Sequence, residues 1–185
     1  YRLLRSENGN NSQQIALVKD LQYTDLSALV NKAFYTYQIE ALDTCLVAIT
    51  SNIGTSILLE GENKNNEYSL LQWNDYQQWQ NGILHYEIEA KDNFGNWASL
   101  NSTQQSDYQD MQYLQERGLE KCYRIKAFEN GGNNAVSFSN SLCLRYMPIM
   151  WIPNAFSPTG DGLNDKFSIT NYGIKELELN IYNLY

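Results

Sequence analysis

Side chains able to do chemistry are scattered through this sequence. His85 is its only histidine. It lies next to Tyr86 in a predicted strand, on which Glu87 and Glu89 share one face. An imidazole can act as a general base, and a pair of carboxylates can serve glycoside cleavage. Such carboxylates normally face each other across a cleft, and no Ser or Cys with an orienting carboxylate can be assigned to His85. Asp161, Asn164 and Asp165 offer hard oxygens within one short loop, with Gly160 and Gly162 free to turn around them. Calcium takes about six to eight oxygens, so these three are a partial ligand set at most. The run lacks the terminal Glu of an EF-hand loop. The alternative is that Asp161 and Asn164 hold a tight turn through their own backbone. Tyr76, Trp79 and Trp97 fall in or beside predicted loops. Exposed rings there could stack on a sugar or anchor a protein partner. Equally, Trp79 could fold over a core and Trp97 pack on a strand face.

No phosphate-binding glycine loop, zinc-ligand spacing or nucleophile elbow occurs. The expectation is therefore a non-catalytic region without a cofactor, calcium being the one metal its side chains suggest. The formal net charge is −8, which opposes a phosphate backbone and excludes nucleic acid as a natural partner. An acidic surface also argues against anionic lipid, and no apolar run approaches the roughly 20 residues of a spanning helix. Asn10-Asn-Ser12 and Asn101-Ser-Thr103 fit the glycosylation acceptor pattern but read as polar loops.

The elements that carry these residues are predicted to be strands. Aromatic residues make up 13% of the chain, led by 14 Tyr, a composition that favours strands. Self-comparison shows a long repeat. Tyr1-Arg-Leu-Leu-Arg-Ser-Glu7 matches Tyr86-Glu-Ile-Glu-Ala-Lys-Asp92, and Tyr23-Thr-Asp-Leu26 matches Tyr108-Gln-Asp-Met111. Tyr37-Gln-Ile-Glu-Ala-Leu42 matches Tyr123-Arg-Ile-Lys-Ala-Phe128, and Ser51-Asn52 matches Ser139-Asn140. Matches in one order at a nearly constant, long offset indicate tandem domains, not a solenoid. Tyr37, Ile39 and Ala41 alternate with Gln38 and Glu40, and Tyr123, Ile125 and Ala127 with Arg124 and Lys126, the period of a half-buried strand. Short alternating runs between Gly and Asn clusters predict sandwiches. In the second unit the runs are Ile57–Leu59, Tyr68–Trp73, Leu84–Ala90, Trp97–Leu100, Lys121–Phe128 and Ala135–Leu144. The first unit aligns from its third strand onward, so the chain is expected to be a piece of a longer one.

The cysteines carry a geometric expectation. Gly132-Asn133 suits a two-residue hairpin turn, and Cys122 and Cys143 are equidistant from it. They would face each other in the closer, non-hydrogen-bonded class of pair, about 4.5 Å apart at Cα, near the short limit for a disulfide. A bulge in the loop would break this count, and two buried thiols are the alternative. Cys45 has no partner in sight.

Trp73, Tyr86 and Tyr123 at these places resemble a fibronectin type III domain, a sandwich of the immunoglobulin-like class. Residues 152–165, Ile-Pro-Asn-Ala-Phe-Ser-Pro-Thr-Gly-Asp-Gly-Leu-Asn-Asp, resemble the opening of the C-terminal sorting domain of gliding-associated and other secreted Bacteroidota proteins. Thr159 stands where that family usually has Asn. Phe167-Ser-Ile169 and Leu177–Tyr185 look like its first strands. The resemblance implies a small β-sandwich read by the type IX secretion system. Its motif residues here are Pro153, Asn154, Phe156, Pro158, Gly160, Asp161, Gly162, Asn164 and Asp165. The whole is thus expected to be all-β. Part of one fibronectin-like domain (1–54) precedes a complete one (55–146) and the start of a sorting domain (149–185), joined by the short Arg145–Pro148 link. The expected role is spacer or adhesion modules with an export signal, on a secreted or cell-surface protein, in gliding or adhesion. Expected partners are the type IX translocon or shuttle proteins, with surface glycans or other surface proteins as ligands. The competing expectation is an accessory region of a secreted carbohydrate-active enzyme.

Overall fold

The computed structural model describes residues 1–42, 47–77, 79–111, 119–131, 135–180 and 182. Every regular element among them is a strand: β1 (Arg2–Glu7), β2 (Gln13–Leu17), β3 (Tyr35–Leu42), β4 (Ala48–Thr50), β5 (Gly54–Thr55), β6 (Leu59–Lys64), β7 (Tyr68–Trp73), β8 (Ile83–Lys91), β9 (Trp97–Thr103), β10 (Asp107–Asp110), β11 (Glu120–Glu129), β12 (Val136–Phe138), β13 (Leu142–Arg145), β14 (Ile149–Trp151) and β15 (Thr170–Tyr172). All the pairings between strands are antiparallel.

The sequence repeat appears as one sheet built twice. The first has the order β2-β1-β3-β4 with β5 also on β3; the other has β9-β8-β11-β12 with β13 also on β11. Register agrees residue by residue. Leu3 faces Ile39 as Ile88 faces Ile125. Ala41 faces Ile49 as Ala127 faces Ser137, and Tyr37 faces Gly54 as Tyr123 faces Leu142. A serine makes the same knot in each. The Ile125 N–H donates to Ser139 Oγ at 2.8 Å, Ser139 N–H to the Ile125 carbonyl at 2.9 Å, and Ser139 Oγ–H to the Asn140 carbonyl at 2.7 Å. Ile39, Ser51 and Asn52 repeat these bonds at 2.9, 2.8 and 2.7 Å. The hydroxyl stands in for a ladder carbonyl where one strand leaves and the next arrives.

In the second unit a three-stranded sheet, β10-β7-β6, closes the apolar face. Leu59, Leu71 and Trp73 pack on Tyr86, Ile88, Tyr123 and Ile125 in one core. The two layers form a β-sandwich. Asn140 ties them at the edge: its side chain accepts from Leu59 N–H at 2.6 Å and donates to the Leu59 carbonyl at 3.0 Å. The first sheet has no such cover among the described residues. Ile39 is 44% exposed where its counterpart Ile125 is 0%, and Tyr1 is 54% exposed where Tyr86 is 2%. Gln22–Asp25, the match of β10, forms no strand. A strand needs a neighbour for its N–H and C=O groups, and no counterpart of β7 lies among the described residues to supply one.

Cys122 and Cys143 face each other and are disulfide-bonded, with Cα atoms 3.9 Å apart. Closing a loop of this size is worth roughly 3 kcal/mol on the chain-entropy model. The route to that register differs from the expected one. Nearer the turn, Phe128 pairs with Val136 and Lys126 with Phe138, one residue out of step with Cys122 and Cys143. The pairs beside the loop are therefore one residue out of step with a count made from Gly132-Asn133. The step is regained at the Ser139 knot, which splits the expected Ala135–Leu144 strand into β12 and β13. Residues 132–134 themselves, and Cys45, lie outside the described residues.

After the second unit the chain is held by Asn66, which donates to the Met147 carbonyl at 2.9 Å and accepts from Met147 N–H at 3.1 Å. β14 and β15 then form a two-stranded sheet that brackets residues 152–169. The expected strand at Phe167–Ile169 differs from this, and so does the described part of the one at Leu177–Tyr185, of which residues 181 and 183–185 lie outside the described residues. Pairing begins at Thr170, and Leu177–Asn180 carry no strand, because no neighbour among the described residues offers them a ladder.

Candidate functional site

Two prolines and two glycines keep residues 152–165 out of regular structure, and their own side chains fold them. Asp165 is the hub. Its Oδ1 accepts from Gly160 N–H at 2.6 Å and its Oδ2 from Gly162 N–H at 2.8 Å. Asp161 Oδ1 accepts from Leu163 N–H at 2.8 Å, and Ser157 N–H donates to the Asn164 carbonyl at 2.8 Å. Gly160, Gly162 and Asn164 take φ of 76°, 84° and 60°, a left-handed run that glycine and asparagine tolerate best. The N–H groups of Gly160 and Gly162 stabilise the carboxylate and hold Asp165 below the usual acid range. Both Asp165 oxygens and one of Asp161 are thus engaged with backbone N–H groups. That is turn chemistry, in which both carboxylates brace the loop's backbone.

Around this turn, Pro153 is buried while Asn154, Phe156, Pro158, Gly160, Asp161, Gly162 and Asn164 are exposed. Phe156 meets Phe167 edge-to-face, ring centres 5.8 Å apart. Trp151, Pro153, Asn164, Asp165, Lys166 and Thr170 line an open groove beside it. The motif is a self-braced, solvent-facing loop on a two-stranded base.

The aromatics considered for ligand stacking sit elsewhere. Tyr76 is 9% exposed and belongs to the core. Its ring lies 4.6 Å from that of Trp79, which packs on the same core, and its backbone N–H donates to Tyr86 Oη at 3.1 Å. Trp97 is half-buried on the outer sheet face. Arg124 lies 4.5 Å and Lys91 5.2 Å from its ring centre, so cations occupy the ring faces a sugar would need. Arg124 also lies 4.5 Å from the Phe138 ring. The same face holds His85, stacked on Phe128 at 4.6 Å, and both strand carboxylates. Glu87 pairs with Lys126 at 3.4 Å and Glu89 with Arg124 at 2.5 Å. A hydrogen bond from Ser99, then Lys126, lowers the Glu87 pKa, the reverse of a poised general acid.

Sequence reasoning passed over a cluster at one end of the sandwich. Asp110, fully buried, accepts from Tyr123 Oη at 2.8 Å and pairs with Lys121 at 3.0 Å. Tyr146 Oη lies 3.1 Å from Tyr123 Oη and 2.6 Å from Ser69 Oγ. Burial drives the Tyr123 pKa far upward, so its hydroxyl stays a donor. A signal was present in the repeat: Asp25 and Tyr37 match Asp110 and Tyr123, and Tyr37 Oη donates to Asp25 Oδ2 at 2.9 Å. The cation differs. Arg5, from β1, reaches Asp25 at 2.7 Å, whereas Lys121 comes from β11.

Asp25 makes the first sheet acid-sensitive. Burial alone would raise its pKa, but hydrogen bonds from Ser27, Arg5 and Tyr37 outweigh it and hold the value at about 2. An unfolded Asp titrates near ~4. The contribution is therefore complete above that value and is lost as pH falls through about 2. We expect amide-exchange protection of Ser27 and Leu29 to fall between about pH 4 and 2, with Asp25→Asn abolishing that dependence. A profile unchanged by Asp25→Asn would refute the assignment.

The chain matches no protein-family model, no curated protein and no solved structure. The fold itself defines the class: an all-β protein with an antiparallel sandwich and one disulfide among its described residues.

Proposed function

We propose that this chain is a non-catalytic region of a secreted or cell-surface protein. Fibronectin type III-like modules act as spacers with a capacity for adhesion, and a C-terminal element directs export by the type IX secretion system. The observation that carries this reading is the Pro153–Asp165 loop. Its motif residues are braced by one another, and most face solvent where a translocon or shuttle protein could meet them. A loop ordered by its own hydrogen bonds presents a fixed shape at low ordering cost. The layering of a three-stranded on a five-stranded sheet in the second unit, with Trp73, Tyr86 and Tyr123 in its core, supports the fibronectin-like assignment. The disulfide is compatible with an oxidising compartment, and no helix among the described residues is long and apolar enough to cross a membrane. Burial of Tyr76 and the cations over Trp97 weigh against glycan capture, and so favour a spacer over a carbohydrate-binding accessory region.

The test fuses a fluorescent reporter to the native protein's region from Ile149 to its own C terminus, in a Bacteroidota host. The reporter should reach the medium or cell surface with an intact type IX translocon and stay inside without it. Asp165→Ala, which removes the bonds to Gly160 and Gly162, should reduce export several-fold. Equal export with and without the translocon would sink the reading.

A further inference from the structure

We propose that Lys121 and Asp110 form a site of covalent self-modification, an amide bond between Lys121 Nζ and Asp110 Cγ made with loss of one water. Lys121 Nζ lies 3.0 Å from Asp110 Oδ2, and the two side chains are 5% and 0% exposed. Burying two full charges is costly even when they are paired. Moving one proton from the ammonium to the carboxylate removes both charges, and the products are a neutral amine and a neutral acid in contact. That is the reactive pair for amide formation.

The surroundings suit the step. Tyr123 Oη donates to Asp110 Oδ2 and draws electron density from the carboxyl carbon. The amine lone pair forms the N–Cγ bond and one Cγ–O bond breaks. The departing oxygen leaves as water with the acid proton and one amine proton, so no oxidant, metal or cofactor is needed. Holding the groups together replaces a bimolecular encounter, an effect equivalent to about 10⁵–10⁸ M in well-oriented cases. The burial that raises reactivity also keeps water from reversing the bond.

Strand pairing sets the geometry. Asp110 ends β10, in the β10-β7-β6 layer, and Lys121 lies in β11 of the facing layer. The bond would join the two layers covalently, beside a disulfide that joins only β11 and β13. The first sheet is an internal control. Its Tyr37–Asp25 pair is served by Arg5, whose guanidinium stays protonated and is no nucleophile at neutral pH. The reaction should occur at Asp110 and not at Asp25.

Intact mass of the full chain, folded, then reduced and denatured, tests this directly. The wild type should be one water lighter than its sequence, and digestion should yield a branched peptide joining the segments that contain Asp110 and Lys121. Asp110→Asn should arrive at the same final mass by losing ammonia, an outcome an ion pair cannot produce. Lys121→Arg should keep its full mass, and the Asp25 peptide should be linear. A folded wild type at full sequence mass, with Lys121 open to an amine reagent after denaturation, overturns the proposal and leaves an ion pair only. A water loss confined to one linear peptide overturns it too.

Discussion

Replacing Asp110 with alanine is expected to destabilise the second unit by about 3–5 kcal/mol, because it takes away the buried carboxyl group that lies against Lys121, whether held as counter-charge or as cross-link. Lys121 is 5% exposed and cannot recover hydration without opening the end of the sandwich. Tyr123 loses its shortest acceptor in the same step and is left with Tyr146 Oη at 3.1 Å and Ser69 Oγ at 3.3 Å. A surface comparison sets the scale. The Arg145–Glu120 pair is held at 3.3 Å but is 87% and 48% exposed, so Glu120→Ala should cost at most about 1 kcal/mol. Adding Lys121→Met to Asp110→Ala should recover part of the loss, since an apolar side chain needs no partner. Urea unfolding of the four proteins, followed by far-UV circular dichroism, measures this. A loss below about 1 kcal/mol for Asp110→Ala would mean that Lys121 reaches water by another path.

The second large effect separates two residues that the repeat makes equivalent. Ile125→Ala should cost about 2–5 kcal/mol, the range for a truncated core aliphatic. Ile39→Ala should cost about 0.5 kcal/mol or less, the range for surface substitutions. Both isoleucines occupy the same register in the same kind of sheet. Ile125 lies under the β10-β7-β6 layer at 0% exposure, while Ile39 is 44% exposed. The difference therefore isolates what the second layer contributes. Equal costs would show that the sheet, and not the sandwich, sets the stability of this position.

Both comparisons rest on features legible in the sequence to different degrees. Alternation at Tyr37–Ala41 and Tyr123–Ala127 identified β3 and β11, because a strand's period of two is a local property, but it named the buried side only for β11: Ile39, on the apolar side of β3, is exposed. The offset matches located the two sheets before any pairing was known. The hairpin count placed Cys122 against Cys143 correctly but by the wrong path. The pairs beside the loop are one residue off the expected count, the Ser139 knot shifts the register back by one, and the two shifts cancel. Sequence spacing sees only the net count, whereas the knot is a set of hydrogen bonds to Ile125. The Asp, Asn and Gly content of residues 160–165 was readable as turn or ligand chemistry. Only the bonds from Gly160 and Gly162 to Asp165 favoured the turn.

Alone, then, the chain's letters determined that it is β-rich, that one sheet plan recurs, which faces are apolar and which two thiols meet. These follow from alternation and spacing between near neighbours. The fold decided which apolar face is covered, which aromatic rings carry cations, and that Lys121 lies against Asp110. Those outcomes depend on how separate layers meet, and the packing of one sheet on another leaves no periodic mark on either.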